Sequence, residues 1–231
     1  RVSNEKLAAS NKSYIDLIGF VAHELKGILA SAVMNAYAVR DGYLGLVNFK
    51  QRKAMDSVTR NLDYLDATVK KFLNLGRIER GELAVNKTGL NLKKDVFDVS
   101  ISSLAAIATK KGLRIVNEID SEVVVQADSD LMQIVANNLV GNAIKYSPDG
   151  GLVRLTARQE NGNVEIDVYN DSTPLSDEQR ARLFRKFTRL DNPETKKVKG
   201  TGLGLYITRQ IIERHGGRIT AVAREHGNSF V

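Results

Sequence analysis

His23 and Glu24 stand side by side in FVAHELKGILAS, residues 20–31, in the middle of a segment whose apolar residues recur at helical spacing. Neutral imidazole is nucleophilic near pH 7, and a neighbouring carboxylate can orient the proton on its second nitrogen or stabilise positive charge as a bond forms. The chain has three histidines, and neither His215, before Gly216 and Gly217 at a helix end, nor His226, beside Gly227 near the C-terminus, has such a setting. His215 suits the negative end of a helix dipole as a partly cationic imidazole, and His226 carries no evident chemistry. Residue types alone leave His23 either a reactive group or a surface residue.

A second cluster lies in LMQIVANNLVGNAIKYSPDGG. Asn138 and Asn142 are four residues apart and share a helix face, with Lys145 one turn further along. Amide oxygens are hard ligands suited to Mg2+, and an ammonium neutralises phosphate charge. The same asparagines could instead cap turns or pair with backbone. A third cluster is KGTGLGLYITRQIIERHGG, where Gly200, Gly202 and Gly204 alternate immediately before a helix. Such glycines let backbone amides approach phosphates, and the helix N-terminus adds positive potential. The loop is not a P-loop, since no GK[ST] follows, nor a dinucleotide fingerprint, since no strand leads directly into it. Lys196, Lys197 and Lys199 lie just upstream, as a closing segment over a nucleotide or as a solvated loop.

Two differently patterned halves must position these groups. Leu7, Tyr14, Leu17, Ile18, Val21, Leu25 and Ile28 recur at three- and four-residue steps, and predict one helix to about Val39. Met55, Leu62 and Val69, with the companion series Val58, Leu65 and Phe72, form an a/d seam over about residues 50–75. DGYLGLVNF connects the two. Such a hairpin cannot bury both stripes alone, so two copies are expected to pair as a four-helix bundle; the competing arrangement is a monomeric hairpin packed on the rest of the chain.

After RIERGEL the pattern becomes short strands and helices, with the boundary near Gly81 to Gly89. Helices are expected over about 92–110, from near Asp128 to Tyr146, over about 177–186 and over about 203–214. Strands are expected at GLRIVNEI, EVVVQA, LVRLTARQ, NVEIDVYN and from Arg218, with a turn at Asn161 and Gly162. The implied architecture is α+β: a helical hairpin over residues 1–80, then an α/β sandwich over 81–231 with helices on one face of a mixed sheet.

At 231 residues, 42% hydrophobic and 26% charged, the chain can build a substantial core. It has no cysteine, which excludes disulfides and thiolate metal sites and fits a reducing compartment. A cytoplasmic region is therefore expected, and the start without Met leaves room for a sensor or membrane segment upstream. The net charge of +7 favours anionic partners. Nucleic acid is not expected, because the basic residues are scattered and no recognition motif appears.

The order of motifs carries more than any one of them. HELK on a helical hairpin, then N-x-x-x-N-A-x-K-Y, NDSTPLS, LFRKF and GTGLGL resembles the sensor histidine kinases of two-component signalling. That resemblance covers nearly the whole chain. It implies a dimerisation and phosphoacceptor domain followed by a catalytic ATP-binding domain of the histidine kinase, gyrase and Hsp90 type. It further implies autophosphorylation of His23 from ATP, with Glu24 handling the imidazole proton, and transfer to an aspartate on a response regulator receiver domain. Asn142 would ligate Mg2+ with Asn138 in support, Lys145 would contact phosphates, and Tyr146 would pack near ribose or base. Asn170 would accept from the adenine amino group. Lys199, Gly200, Thr201, Gly202, Leu203, Gly204 and Leu205 would hold the triphosphate, and Arg189 would reach the γ-phosphate or remain a surface arginine.

The sequence also departs from that family. The phosphoacceptor motif ordinarily continues with Thr or Asn and then Pro, where this chain has Gly27 and Ile28. Gly27 lacks the side chain that the family uses to position water for dephosphorylating its partner, so weak or absent phosphatase activity is expected. Asn170 replaces an aspartate, and Ser172 and Pro174 replace spaced glycines, so the base contact becomes a neutral hydrogen bond. An ATP hydrolase would need a glutamate where Asn138 stands. A nucleotide-binding scaffold without activity is the alternative to a kinase.

Overall fold

The computed structural model describes residues 2–160, 162–190 and 200–231, with the helical backbone alone over 2–18. The turn residue Asn161 and the lysines Lys196, Lys197 and Lys199 lie outside the described residues, as do the side chains of Leu7, Tyr14, Leu17 and Ile18. The chain divides into two compact units between Leu83 and Ala84.

The first unit is a hairpin of α1 (Val2–Arg40) and α2 (Phe49–Glu79). Gly42 and Gly45 take φ of 84° and 122° in the connection, a left-handed backbone that costs other residues strain. Asn48 then opens α2 with a reciprocal capping box to Gln51, satisfying two donors at the helix start. No proline interrupts α1, which passes through Gly27 as unbroken helix. Ala22, Leu29 and Val69 are buried between the helices, with Val33, Leu62, Phe72 and Leu73 packed around them. Tyr37 donates to Asp63 across the pair at 2.7 Å. Within one hairpin, Leu62, Val69 and Phe72 turn inward, whereas Val58 and Leu65 stay exposed. Val21, Leu25 and Ile28 on α1 are exposed too, because the face that meets α2 runs through Ala22 and Leu29 instead. An apolar arc this wide exceeds what one neighbouring helix can cover.

The second unit contains β1 (Thr88–Asn91), a π-helical turn (Leu92–Phe97) running into α3 (Asp98–Lys110), β2 (Arg114–Asn117), β3 (Val124–Ala127) and α4 (Ser129–Tyr146). There follow β4 (Leu152–Glu160), β5 (Asn163–Asp171), α5 (Asp177–Arg182), α6 (Gly204–Arg214), β6 (Ala221–Arg224) and β7 (Gly227–Phe230). The main sheet has the order β2-β4-β5-β7-β6, with β2 parallel to β4 and the other pairs antiparallel; β1 and β3 form a separate ribbon. α4 presents Leu131, Val135, Leu139 and Ala143 to the core among its buried residues and packs on α3, α6 and β5. This leaves Asn138, Asn142 and Lys145 along its half-buried edge. Asp128 caps α4 by accepting from the N–H groups of Leu131 and Asn86.

Three expectations need correction. The last strand is a hairpin, because the chain turns at Glu225 and His226 and pairs β6 with β7. The helix after Ser176 ends at Arg182 rather than near Lys186, its capping box fixing the start and separate three-residue turns following, as where the Arg185 N–H donates to the Arg182 carbonyl at 3.1 Å. β1 was not anticipated; its four residues, TGLN, have one buried side chain and no alternation to read.

Candidate functional site

The edge of α4 meets the start of α6. The Asn138 amide donates to the Gly204 carbonyl at 3.3 Å and to the Thr208 hydroxyl at 3.4 Å. A Cβ on Gly204 would lie 3.2 Å from the Asn138 side-chain oxygen, so the helix start sits directly on that amide. One turn along α4, Asn142 is half-buried. One further turn places the Lys145 ammonium 2.9 Å from where a Cβ of Gly200 would be. Gly202 has φ of 71°, and its missing Cβ would lie 2.6 Å from the Phe187 carbonyl carbon and 2.8 Å from the Thr188 oxygen. Each alternating glycine thus meets a different neighbour: the ammonium, the turn after LFRKF, and the amide. Thr201 accepts from the Leu203 N–H at 3.4 Å, Leu203 is fully buried, and Leu205 is half-buried.

Cations gather at the C-terminal end of α4. The Lys145 ammonium lies over the Tyr146 ring, 5.1 Å from its centre. Burial pushes the Tyr146 hydroxyl above its ordinary range, against the pull of the Arg189 cation, which places Arg189 near this corner. Lys111, which the sequence gave no reason to single out, donates to the carbonyls of Ile144 (2.9 Å), Lys145 (3.2 Å) and Ser147 (2.5 Å). Those are the acceptors that a helix end leaves without partners, so Lys111 fixes the turn that carries Lys145 and Tyr146.

Asn170 is 3% exposed near the end of β5, on the strand that packs against α4. Its amide nitrogen donates to the Asp171 carbonyl at 3.0 Å, which leaves the side-chain oxygen as the acceptor. Asp171 in turn accepts from the Tyr169 hydroxyl and the Leu152 N–H, both at 2.7 Å. Burial first, and then the Asp171 bond, push the Tyr169 hydroxyl up to about 12. Asn228, also missed, stands opposite Asn170 on β7 and is bonded to the segment that follows it.

In the hairpin, His23 Nδ1 faces the Glu24 carboxylate at 3.4 Å, and the two side chains are 77% and 62% exposed. Gly27, one turn along, has nothing within 4 Å of its Cβ position. The other histidines are not so placed. His215, at the end of α6, takes the Asp128 N–H on Nε2 at 3.0 Å and meets the Ile211 carbonyl through Nδ1 at 2.8 Å. His226 is exposed beside Glu225.

Residues 127–231 match the family described as histidine kinase-, DNA gyrase B- and HSP90-like ATPases. The whole chain aligns with the sensor protein VanS of Enterococcus faecium at 27% identity, and with the adaptive-response sensory kinase SasA of Synechococcus sp. (strain CC9902) at 32%. In each case it spans 59% of the relative's length. Over its whole length the chain is thus similar to sensor histidine kinases. Among solved structures, the catalytic domain of the histidine kinase ThkA matches 63% of this chain and 92% of its own, with TM-score 0.57 and 28% identity. Full-length ShkA in complex with AMPPNP shares the fold over 93% of the chain and 44% of its own, with TM-score 0.74 and 21% identity. The helical part followed by the α/β sandwich is thus the arrangement expected from the kinase motifs. No helix among the described residues is long and apolar enough to cross a membrane.

Proposed function

We propose that this chain is the phosphoacceptor and catalytic region of an ATP-dependent protein-histidine kinase, which phosphorylates His23 and passes the group to an aspartate of a response regulator receiver. The observation that carries the reading is the packing of the glycine loop on α4: Gly204 against Asn138 and Gly200 against Lys145. Backbone amides, a helix start and an ammonium converge there, which suits a triphosphate. Thr201, Leu203 and Leu205 shape the loop, and Lys199 and Arg189 add charge. Asn142, half-buried on the same edge, offers a hard oxygen to Mg2+, which would neutralise phosphate charge. Tyr146 borders the ribose and base, and the Asn170 oxygen accepts from the adenine amine.

In this reading Nδ1, which faces the Glu24 carboxylate at 3.4 Å, carries the proton and Nε2 the lone pair. Nε2 attacks the γ-phosphorus, the N–P bond forms, and the bond to the leaving β-phosphate oxygen breaks with release of ADP. Glu24 stabilises the positive charge on the ring and takes the Nδ1 proton as it is shed. Hydrolysis is disfavoured, because Asn138 is an amide already bonded to Gly204 and Thr208 and has no basic lone pair to activate water. The exposed arc of Val21, Leu25, Ile28, Val58 and Leu65 pairs with a second copy in a four-helix bundle.

Gly27 leaves the position beside His23 without a polar group, so receiver dephosphorylation is weak. Gly27→Asn should raise it, since the space is open; an unchanged rate would remove this explanation. Calorimetric titration tests the nucleotide site: ATP should bind more tightly with Mg2+ than without, and Asn142→Ala should abolish that difference. A difference retained in the variant would move the metal elsewhere.

A further inference from the structure

Asn228 lies between Gly227 and Ser229 on β7, 4% exposed, and directly opposite Asn170 in the sheet register. Its side chain bonds across to the chain that follows β5. The oxygen accepts from the Leu175 N–H at 2.9 Å, and the nitrogen donates to the Ser172 hydroxyl at 2.8 Å and to the Thr173 carbonyl at 2.9 Å. One buried amide thus holds three residues of a four-residue stretch, using both its donor and its acceptor ends. The backbone reinforces it, as the Ser172 N–H donates to the His226 carbonyl at 3.2 Å. The preceding residue must be glycine for the strands to close this far, because a Cβ on Gly227 would lie 2.2 Å from the Asn170 carbonyl oxygen.

We infer that Asn228 is a positioning residue for nucleotide-base recognition, fixing residues 172–175 so that Asn170 presents its oxygen to the adenine amine. The inference rests on the reading of Asn170 as the base acceptor. The stretch it fixes contains Ser172 and Pro174 and no glycine, so its path is set by side-chain bonds. A neutral amide acceptor also has less reach in energy than a carboxylate and depends more on being aimed. Asn228 supplies that aim from the neighbouring strand without touching the base.

The test compares ATP with GTP on the full chain, for the native sequence, Asn170→Ala, Asn228→Ala and Asn228→Asp. Asn228→Ala should weaken ATP binding about ten-fold and GTP binding by less than two-fold, with the loss falling on KM for ATP rather than on kcat. Asn228→Asp keeps the acceptor for Leu175 and the side-chain shape, and should retain part of the preference; it also serves if the alanine variant does not fold. In an Asn170→Ala background, Asn228→Ala should add little, as expected of two residues acting through one contact. Equal losses for ATP and GTP, or an unchanged ratio in both Asn228 variants, would make Asn228 merely structural and overturn the inference while Asn170 keeps its role. No preference for ATP in the native chain, or a preference that survives Asn170→Ala, would overturn the reading of Asn170 and this inference with it.

Discussion

His23 faces Glu24 at 3.4 Å with most of both side chains in solvent, whereas Asn138 in the second unit is bonded twice to the start of α6 and backs onto Gly204 at 3.2 Å. On the proposed function, the two regions divide the chemistry between them. A group that must meet first a nucleotide and then a second protein has to remain open, so the hairpin presents it on an unbroken helix with an empty position at Gly27. A site that must gather triphosphate charge has to be organised beforehand, since preorganised donors cost no rearrangement at the moment of reaction. The glycine loop, Lys111 and Asn228 provide that organisation. Substitutions in the first region should therefore alter chemistry with little effect on the fold, and substitutions in the second should alter both.

The largest break of this contrast is Gly202→Ala. Its φ of 71° and the 2.6 Å approach to Phe187 force the turn and the loop apart. ATP binding should weaken by about 100-fold, equivalent to about 2.7 kcal/mol, while the helical signal of the hairpin stays unchanged; calorimetry and circular dichroism read the two effects. Next is Lys111→Met, which strips three carbonyls at the end of α4 of a charged donor. It should lower the stability of the second unit by about 2 kcal/mol, seen as a lower urea midpoint.

Smaller effects sharpen the comparison. Gly27→Ala should stabilise the hairpin by about 1 kcal/mol, because the added methyl meets no neighbour and glycine is a poor helix former; thermal melting of α1 and α2 checks it. Tyr169 offers a titration. Its hydroxyl is raised from 10.0 to about 12, so the proton is held more tightly in the fold. That stabilisation is full below about pH 10 and is lost as pH rises through about 12. Alkaline difference absorbance should show a late-titrating tyrosine that Tyr169→Phe removes, and a native profile completed near pH 10 would contradict the bond to Asp171.

The same contrast governs what the sequence disclosed. Periodicity found α1 and α2 as helices, although Val21, Leu25 and Ile28 of the α1 series are exposed and the buried residues there are Ala22, Leu29 and Ala36. It could not decide which of two adjacent stripes faces the other helix of the same hairpin: Leu62, Val69 and Phe72 do, and Val58 and Leu65 do not. Asn138, Lys145 and the alternating glycines were legible because their spacing carries chemistry, and the structure brings the four positions Asn138, Lys145, Gly200 and Gly204 into two close contacts. Asn228 and Lys111 were not legible. Each is a single polar residue whose partners lie 53 and 33 or more residues away in sequence, and no local pattern marks such a bond. β1 escaped for a related reason, since its pairing with β3 is set by register rather than by alternation.

The central claim is that ATP held by the second unit phosphorylates His23 in the first. Incorporation of γ-labelled phosphate from Mg·ATP tests it most directly, comparing the native chain with His23→Gln and treating the product with acid. The account predicts label that is lost in acid and absent from the variant, with ATP affinity the same in both. Label that resists acid or persists in His23→Gln, or no label in a chain that binds ATP and dimerises, would contradict it.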